Sequence, residues 1–344
     1  MQTAAPVAKT KLANLALQGG GAHGAFTWGV LDRLLEEPSF QIDGVSATSS
    51  GAMNAVVLAH GLTVGGRDGA KQALAAFWQR ASDVGKNSFL QPSWYDRLTN
   101  SRGLDNSPAF FFFDMLTRML SPYQFNPLNY NPLKSVLESV VDFGRLQREC
   151  AIKLFLCATN VRTGKVRVFE NKELSVSRVL ASACLPFLYQ AVEIDGEHFW
   201  DGGYMGNPTM FPLIYNCDSP DIIVVHINPT ERHDIPRTAT EILSRINEIS
   251  FNSSLLREMR AIAFVTKLID DEKITDKSLK RMLVHSIEAD DVMQSLSVTS
   301  KLNTEWEFLM YLHGIGRERA DRWLKAHLTS VGVESTVDVR QKYL

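Results

Sequence analysis

Short apolar runs alternate with helical stretches from residue 12 to about residue 229, a pattern that predicts a mainly parallel sheet covered by helices. Residues 12–17 form the first expected strand. It runs into Gln18-Gly19-Gly20-Gly21-Ala22-His23-Gly24 and then into a helix carrying Phe26, Val30 and Leu34 on one face. The motif repeats at residues 42–47, a short strand followed by Thr48-Ser49-Ser50-Gly51 and a helix through Met53, Val56, Val57 and His60, which Gly61 is expected to close. Residues 67–81 predict a further helix. Residues 152–158 and 165–169 predict strands, and residues 174–183 a helix ending near Pro186. Residues 189–194 and 197–200 then read as a hairpin around the favoured two-residue turn Asp195-Gly196, with Asp201-Gly202-Gly203 at its far end. Residues 221–227 are expected to be the last clear strand.

The remaining segments break this rhythm. Residues 83–108 are polar and rich in Ser, Asn and Pro, as a loop would be, whereas residues 109–130 carry Phe110, Phe111, Phe112, Phe113, Met115, Leu116, Met119, Leu120, Tyr123 and Phe125. That is more apolar surface than one helix face hides, so the segment is either a helix buried on two sides or a lid or membrane-docking element. Beyond Pro229 the pattern turns helical. Thr238 and Glu241 have capping-box spacing ahead of Ile242, Ile246, Ile249, Leu256 and Met259, and more helices are expected around residues 292–312 and 317–328. The expected organisation is a flexible tail over 1–11, a catalytic domain over 12–229 with an excursion at 83–130, and a helical region over 230–344 packed on it.

Composition narrows the function. A chain of 344 residues, 45% of them hydrophobic, can bury a large core. With 36 Lys and Arg against 38 Asp and Glu, the net charge of −2 draws it to neither nucleic acid nor anionic lipid, so any membrane attraction is local. Cys150, Cys157, Cys184 and Cys217 lack CxxC spacing and sit beside apolar residues, which reads as buried thiols, not zinc ligands or a disulfide frame. The first 14 residues contain no apolar stretch of the ~7–15 residues that a signal peptide needs, and nowhere do ~18 uncharged apolar residues follow one another. The expected location is the cytoplasm, with contact to a membrane surface allowed. No metal or cofactor is expected.

A serine hydroxyl attacks an ester when a base takes its proton and N–H donors meet the oxyanion that forms. Ser49 lies between a strand and a helix, where a sharp turn lifts its oxygen clear and the helix N-terminus favours negative charge. Ser46 falls inside the strand and Ser50 on the first helical turn, so Ser49 is the candidate nucleophile. Ala47 and Gly51 are the small residues flanking it. The run Gly19-Gly20-Gly21, together with Ser50, is the candidate oxyanion hole, because a loop without Cβ atoms can aim successive N–H groups at one point. Asp201, flanked by Trp200 and Gly202-Gly203 at a strand end, is the candidate base.

These pieces, in this order, resemble the patatin-like phospholipases, whose pattern is G-G-G-x-[RK]-G, then G-x-S-x-G, then D-G-[GA]. Ala181-Ser182-Ala183-Cys184-Leu185-Pro186-Phe187 also resembles the segment ahead of that family's catalytic hairpin. The resemblance implies a three-layer α/β/α sandwich and metal-independent hydrolysis of lipid acyl esters through an acyl-enzyme, with Ser49 and Asp201 as a dyad. Two positions depart from the pattern: His23 stands in place of Arg or Lys, and Ala47 in place of Gly.

Three other readings compete. A Ser-His-Asp triad would use His226, which follows Ser49 and Asp201 in α/β-hydrolase order. A dinucleotide-binding module would use Gly19, Gly21 and Gly24 as G-x-G-x-x-G with Asp43 as the ribose acid. A non-catalytic lipid-binding protein would leave the dyad idle. The other histidines, His60, His198, His233, His285, His313 and His327, are expected to be structural.

Overall fold

The computed structural model describes residues 10–88, 90–99, 102–232, 235–273 and 279–344. Most of the expected tail, residues 1–9, and His233 lie outside the described residues. Strand β1 (Lys11–Leu17) leads through a turn of 3-10 helix (Gly21–His23) into α1 (Gly24–Leu34), and β2 (Phe40–Ala47) leads into α2 (Ser50–Lys86). Five short helices follow: α3 (Trp94–Leu98), α4 (Pro108–Met119), α5 (Pro122–Phe125), α6 (Pro132–Val140) and α7 (Phe143–Glu149). The chain then forms β3 (Lys153–Asn160), β4 (Val166–Glu170), α8 (Val176–Ser182), β5 (Val192–Ile194), β6 (Glu197–Asp201), α9 (Phe211–Asn216) and β7 (Asp221–Val225). It closes with α10 (Ala239–Asp270), β8 (Leu283–Ile287), α11 (Asp290–Met293), α12 (Trp306–His327) and α13 (Val339–Tyr343).

The strands form one sheet in the order β5-β6-β3-β2-β1-β7-β8, with β4 also paired to β3. The centre, from β3 through β2, β1 and β7 to β8, is parallel, while β4, β5 and β6 run antiparallel to their neighbours. Successive residues of a strand point to opposite faces. Along β7, Ile223 and Val225 enter one core cluster with Leu15, Phe26 and Leu58, whereas Ile222 and Val224 enter a second with Met210, Leu255 and Met259. The sheet is therefore covered on both faces, giving the expected three-layer α/β fold. On one side of β1 lies β2, its successor; on the other lies β7, formed far later. Strand order reverses there, and such a switch point opens a crevice beyond the strands' carboxyl ends.

Several elements differ from the sequence expectation. The sheet does not stop at β7: β8 extends it from within the stretch expected to be all helix. Its apolar pattern is broken by His285 and Ser286, yet His285 is buried, with Nε2 2.9 Å from Asp221 Oδ1 and Nδ1 3.0 Å from Thr336 Oγ1. A satisfied buried histidine hides a strand from a hydrophobicity reading. Gly61 does not close its helix but packs against Ala70; the break falls at Gly65 and Gly66, which have non-helical φ and ψ. The helices expected near 292–312 and 317–328 are instead one long α12 preceded by short turns. The expected loop at 83–108 contains α3, started by a Ser93–Asp96 capping box. Only Val192–Ile194 of the expected 189–194 strand is extended.

The reading of residues 109–130 as a helix buried on two sides is also overturned. Helix α4 has no buried residue, and Phe111, Phe112, Met115 and Met119 are exposed. By contrast, α12 packs tightly on α1: a Cβ on Gly29 would overlap the His313 carbonyl, and one on Gly316 the Phe26 carbonyl. The last long helix thus backs the first.

Candidate active site

The two strand-to-helix turns predicted from sequence lie side by side at the carboxyl ends of β1 and β2. Ser49 has φ +56° and ψ −123°, a conformation that a residue with a side chain holds only under constraint. The constraint is visible. Its N–H donates to Ser182 Oγ at 3.0 Å, its carbonyl accepts the Met53 N–H at 3.1 Å, and Thr48 Oγ1 donates to the Gly206 carbonyl at 2.7 Å. Ser46 and Ser50 are buried and engaged: Ser46 Oγ donates to the Thr209 carbonyl, and Ser50 Oγ accepts the Gly20 N–H at 3.0 Å. Ser49 alone of the three is half-exposed. Ala47 sits buried in the ladder between Leu17 and Leu156, so its methyl is part of the core. Gly51 is required where it stands, because a Cβ there would lie 2.7 Å from the Gln18 carbonyl oxygen.

The glycine run is held by groups that the sequence pattern did not reveal. The Gly19 N–H donates to Asn207 Oδ1 at 2.7 Å, and the Gly19 carbonyl accepts Asn228 Nδ2 at 2.7 Å. Gln18 Oε1 accepts the N–H groups of Ile227 and Asn228, tying the loop to the end of β7. Of the four expected oxyanion donors, Gly19 and Gly20 are thus engaged internally; those of Gly21 and Ser50 meet no acceptor among the described residues. Gly21 has φ +59°. The one sequence signal for Asn207 was its place, just before Pro208 and shortly after Asp201-Gly202-Gly203.

Asp201 ends β6 and is wholly buried. Its N–H donates to the Cys184 carbonyl at 2.8 Å, its carbonyl accepts Thr159 Oγ1 at 2.8 Å, and its Oδ1 accepts the Gly203 N–H at 2.7 Å. Oδ2 has no partner of regular hydrogen-bond geometry, yet the Ser49 hydroxyl stands close enough to hold the carboxyl's pKa down. Burial outweighs both the Ser49 and Gly203 contributions and pushes the Asp201 pKa up to about 7. The structure therefore brings Ser49, Asp201 and the glycine run together.

The competing residues lie elsewhere. His226 stacks on Tyr343, with Nε2 2.7 Å from its hydroxyl, and burial lowers its pKa to about 4. Neither Ser49 nor Asp201 meets it. Asp43 Oδ2 accepts the N–H groups of Asp218 at 2.5 Å and Ser219 at 2.9 Å, and Lys153 is 3.3 Å from its other oxygen, so it pins the loop before β7 instead of facing the glycine run. His23 is buried, bonded through Nε2 to Ser300 Oγ at 2.7 Å, and held well below the usual histidine pKa by burial and by Lys301 and Arg232. It is neutral and supplies no positive charge.

The sequence model of the family described as patatin-like phospholipase matches residues 15–214, more than half of the chain and a span containing the glycine run, Ser49 and Asp201. The chain belongs to the patatin-like phospholipase family. Patatin-like phospholipases are carboxylic ester hydrolases, and membership makes lipid acyl hydrolysis the activity class. Among curated proteins none matches this patatin-like chain in sequence. Among solved structures it is similar to VipD from Legionella pneumophila, with a TM-score of 0.44, 16% identity, and coverage of 95% of this chain and 72% of that one. It is also similar to the ExoU-SpcU complex of the type III secretion system of Pseudomonas aeruginosa, with a TM-score of 0.37, 15% identity, and coverage of 93% of this chain and 52% of that one.

Proposed function

We propose that the protein hydrolyses lipid acyl esters, of the phospholipase A or lysophospholipase kind, through an acyl-enzyme on Ser49 with Asp201 as its base. The observation that carries this reading is the pairing of a strained, half-exposed serine with a buried carboxyl raised to about 7, one of whose oxygens is left for the serine hydroxyl. Asp201 takes the Ser49 proton as Oγ bonds to the acyl carbon. The carbonyl electrons move onto oxygen, where the Gly21 and Ser50 N–H groups receive them, joined by Gly20 once it releases Ser50 Oγ. The tetrahedral adduct collapses, the alcohol leaves with the proton from Asp201, and water repeats the sequence to free the acid and restore Ser49. Labelling with a fluorophosphonate, followed by a lipid panel scored for released fatty acid against a Ser49→Ala blank, tests the reading. Parent protein that is neither labelled at Ser49 nor active above that blank would leave the lipid-binding reading in its place.

The pH dependence has a defined sign. Asp201 must be ionised to act as base, and its raised pKa keeps it protonated below about 7. On a soluble ester, kcat/KM should therefore rise about tenfold per pH unit up to an apparent pKa near 7 and then level off. A flat profile from pH 5 to 8 contradicts the assignment.

The exposed face of α4 supports a surface that docks on lipid. It continues into α5 and the loop after it, where Tyr123, Leu128 and Tyr130 are exposed. This surface reaches the segment that leads into the β5–β6 hairpin: Tyr123 Oη accepts the Ala191 N–H at 3.3 Å, and Gln190 Nε2 donates to the Asn126 carbonyl at 2.9 Å. Moving one Phe from water into an apolar layer gains roughly 1.5–3 kcal/mol. A Phe111→Asp/Phe112→Asp double variant should therefore bind phosphatidylcholine vesicles at least tenfold more weakly, read by co-sedimentation, while hydrolysis of a monomeric ester falls far less.

A further inference from the structure

The family pattern places a cation in the oxyanion loop, and here that position is a neutral, buried His23. A different positive charge stands behind the loop. Lys301 Nζ donates to Asn228 Oδ1 at 2.8 Å, and Asn228 Nδ2 donates to the Gly19 carbonyl at 2.7 Å. That carbonyl shares a peptide group with the Gly20 N–H. Drawing electron density onto the Gly19 oxygen makes the Gly20 N–H a stronger donor, because linked hydrogen bonds polarise one another.

The surroundings fix the geometry of these contacts. Asn228 is buried, with its own N–H donating to Gln18 Oε1 at 3.0 Å, so its side chain is fixed between the lysine and the loop. Around the lysine, Glu248 is bound by Arg232 at 2.6 Å and Arg245 at 3.3 Å, so one carboxylate faces three cations. Burial lowers the Lys301 pKa; Glu248 opposes that shift and Arg232 adds to it. The segment carrying Lys301 also touches the loop directly: a Cβ on Gly21 would overlap the Lys301 carbonyl, and the adjacent Ser300 binds His23.

We propose that Lys301, acting through Asn228 on the Gly19 carbonyl, is a positioning residue that polarises the glycine run for the oxyanion and takes the place of the cation absent at His23. The proposal rests on Ser49 being the nucleophile. A polarising relay acts where negative charge develops, so it changes kcat and leaves substrate binding in place.

The test uses the full chain with p-nitrophenyl butyrate and a fluorophosphonate. Removal of a whole oxyanion donor costs roughly 10²–10³ in kcat, and weakening one should cost roughly 10–10². Lys301→Met is expected to lower kcat by that smaller factor with KM within about twofold, and to slow Ser49 labelling in parallel without changing its final extent. Asn228→Ala should do the same, and the Lys301→Met/Asn228→Ala double variant should be no slower than the worse single, since both remove one relay. Lys301→Met with unchanged kcat, a rise in KM alone, or a double variant whose losses multiply overturns the relay. If Lys301→Met does not fold, Asn228→Ala decides by the same kcat and KM criterion. Parent protein unlabelled at Ser49 overturns the nucleophile assignment and the relay together, whereas a labelled parent with an indifferent Lys301 overturns the relay alone.

Discussion

Replacing Asp201 by asparagine is expected to lower kcat by roughly 10³–10⁴, close to the loss in Ser49→Ala, with KM little changed. Asparagine keeps the shape of the side chain and can still meet the Gly203 N–H, so what is lost is the capacity to take a proton. Two residues that act as one unit give losses that do not multiply, and an Asp201→Asn/Ser49→Ala protein should be no slower than either single variant. A variant retaining more than about a tenth of parental kcat would remove Asp201 from the mechanism. Stability should move the other way. The folded-state pKa of about 7 lies above the ordinary value of 3.8, so folding favours the protonated carboxyl, and its ionisation destabilises the fold as pH rises toward and past 7. The shift corresponds to on the order of 4 kcal/mol at most. Asp201→Asn should accordingly melt higher than the parent at pH 8, with the difference shrinking toward pH 4.

The second large effect is expected at Gly19. A Cβ there would lie 2.6 Å from Ser49 Cβ and 2.9 Å from the Thr48 carbonyl oxygen, both part of the strained turn that presents Ser49. The added methyl has nowhere to go except into that turn. A misplacement of about 1 Å can cost roughly 10²-fold in rate, so Gly19→Ala should lose at least that in kcat and in Ser49 labelling rate. Gly314→Ala is the matched control: a Cβ there meets nothing within 4 Å on α12, so activity should be kept and the melting temperature slightly raised. Equal activity in Gly19→Ala and parent would mean that the glycine run and the Ser49 turn are not in the contact described.

What the sequence made legible were the parts whose chemistry is local. Strand, glycine run and helix follow one another within Leu12 to Leu34, and the Ser49 turn repeats that grammar, so periodicity and small residues were enough to find both. The Asp195-Gly196 turn, with φ +53° and +78°, was read for the same reason. The supports of the site are long-range and carry no pattern. Asn207 and Asn228 are single polar residues whose roles exist only because β6 and β7 converge on the crevice, whereas Ser182 lies in the 181–187 segment that the resemblance marks without giving that serine a role. Strand β8 was missed because His285 is satisfied by Asp221 and Thr336, partners that a reading along the chain does not see. The exposure of α4 was equally invisible, since an apolar helix looks alike whether its face is covered or bare.

The contact between Gly21 and the Lys301 carbonyl bears on the order in which the protein is made. Domains fold largely as they leave the ribosome, at about 5–20 residues per second. Ser49 and the glycine run are synthesised well before the segment that backs them, from Val298 to His327. A nascent chain that has completed the glycine run and the Ser49 turn therefore still lacks the packing of Lys301 against Gly21.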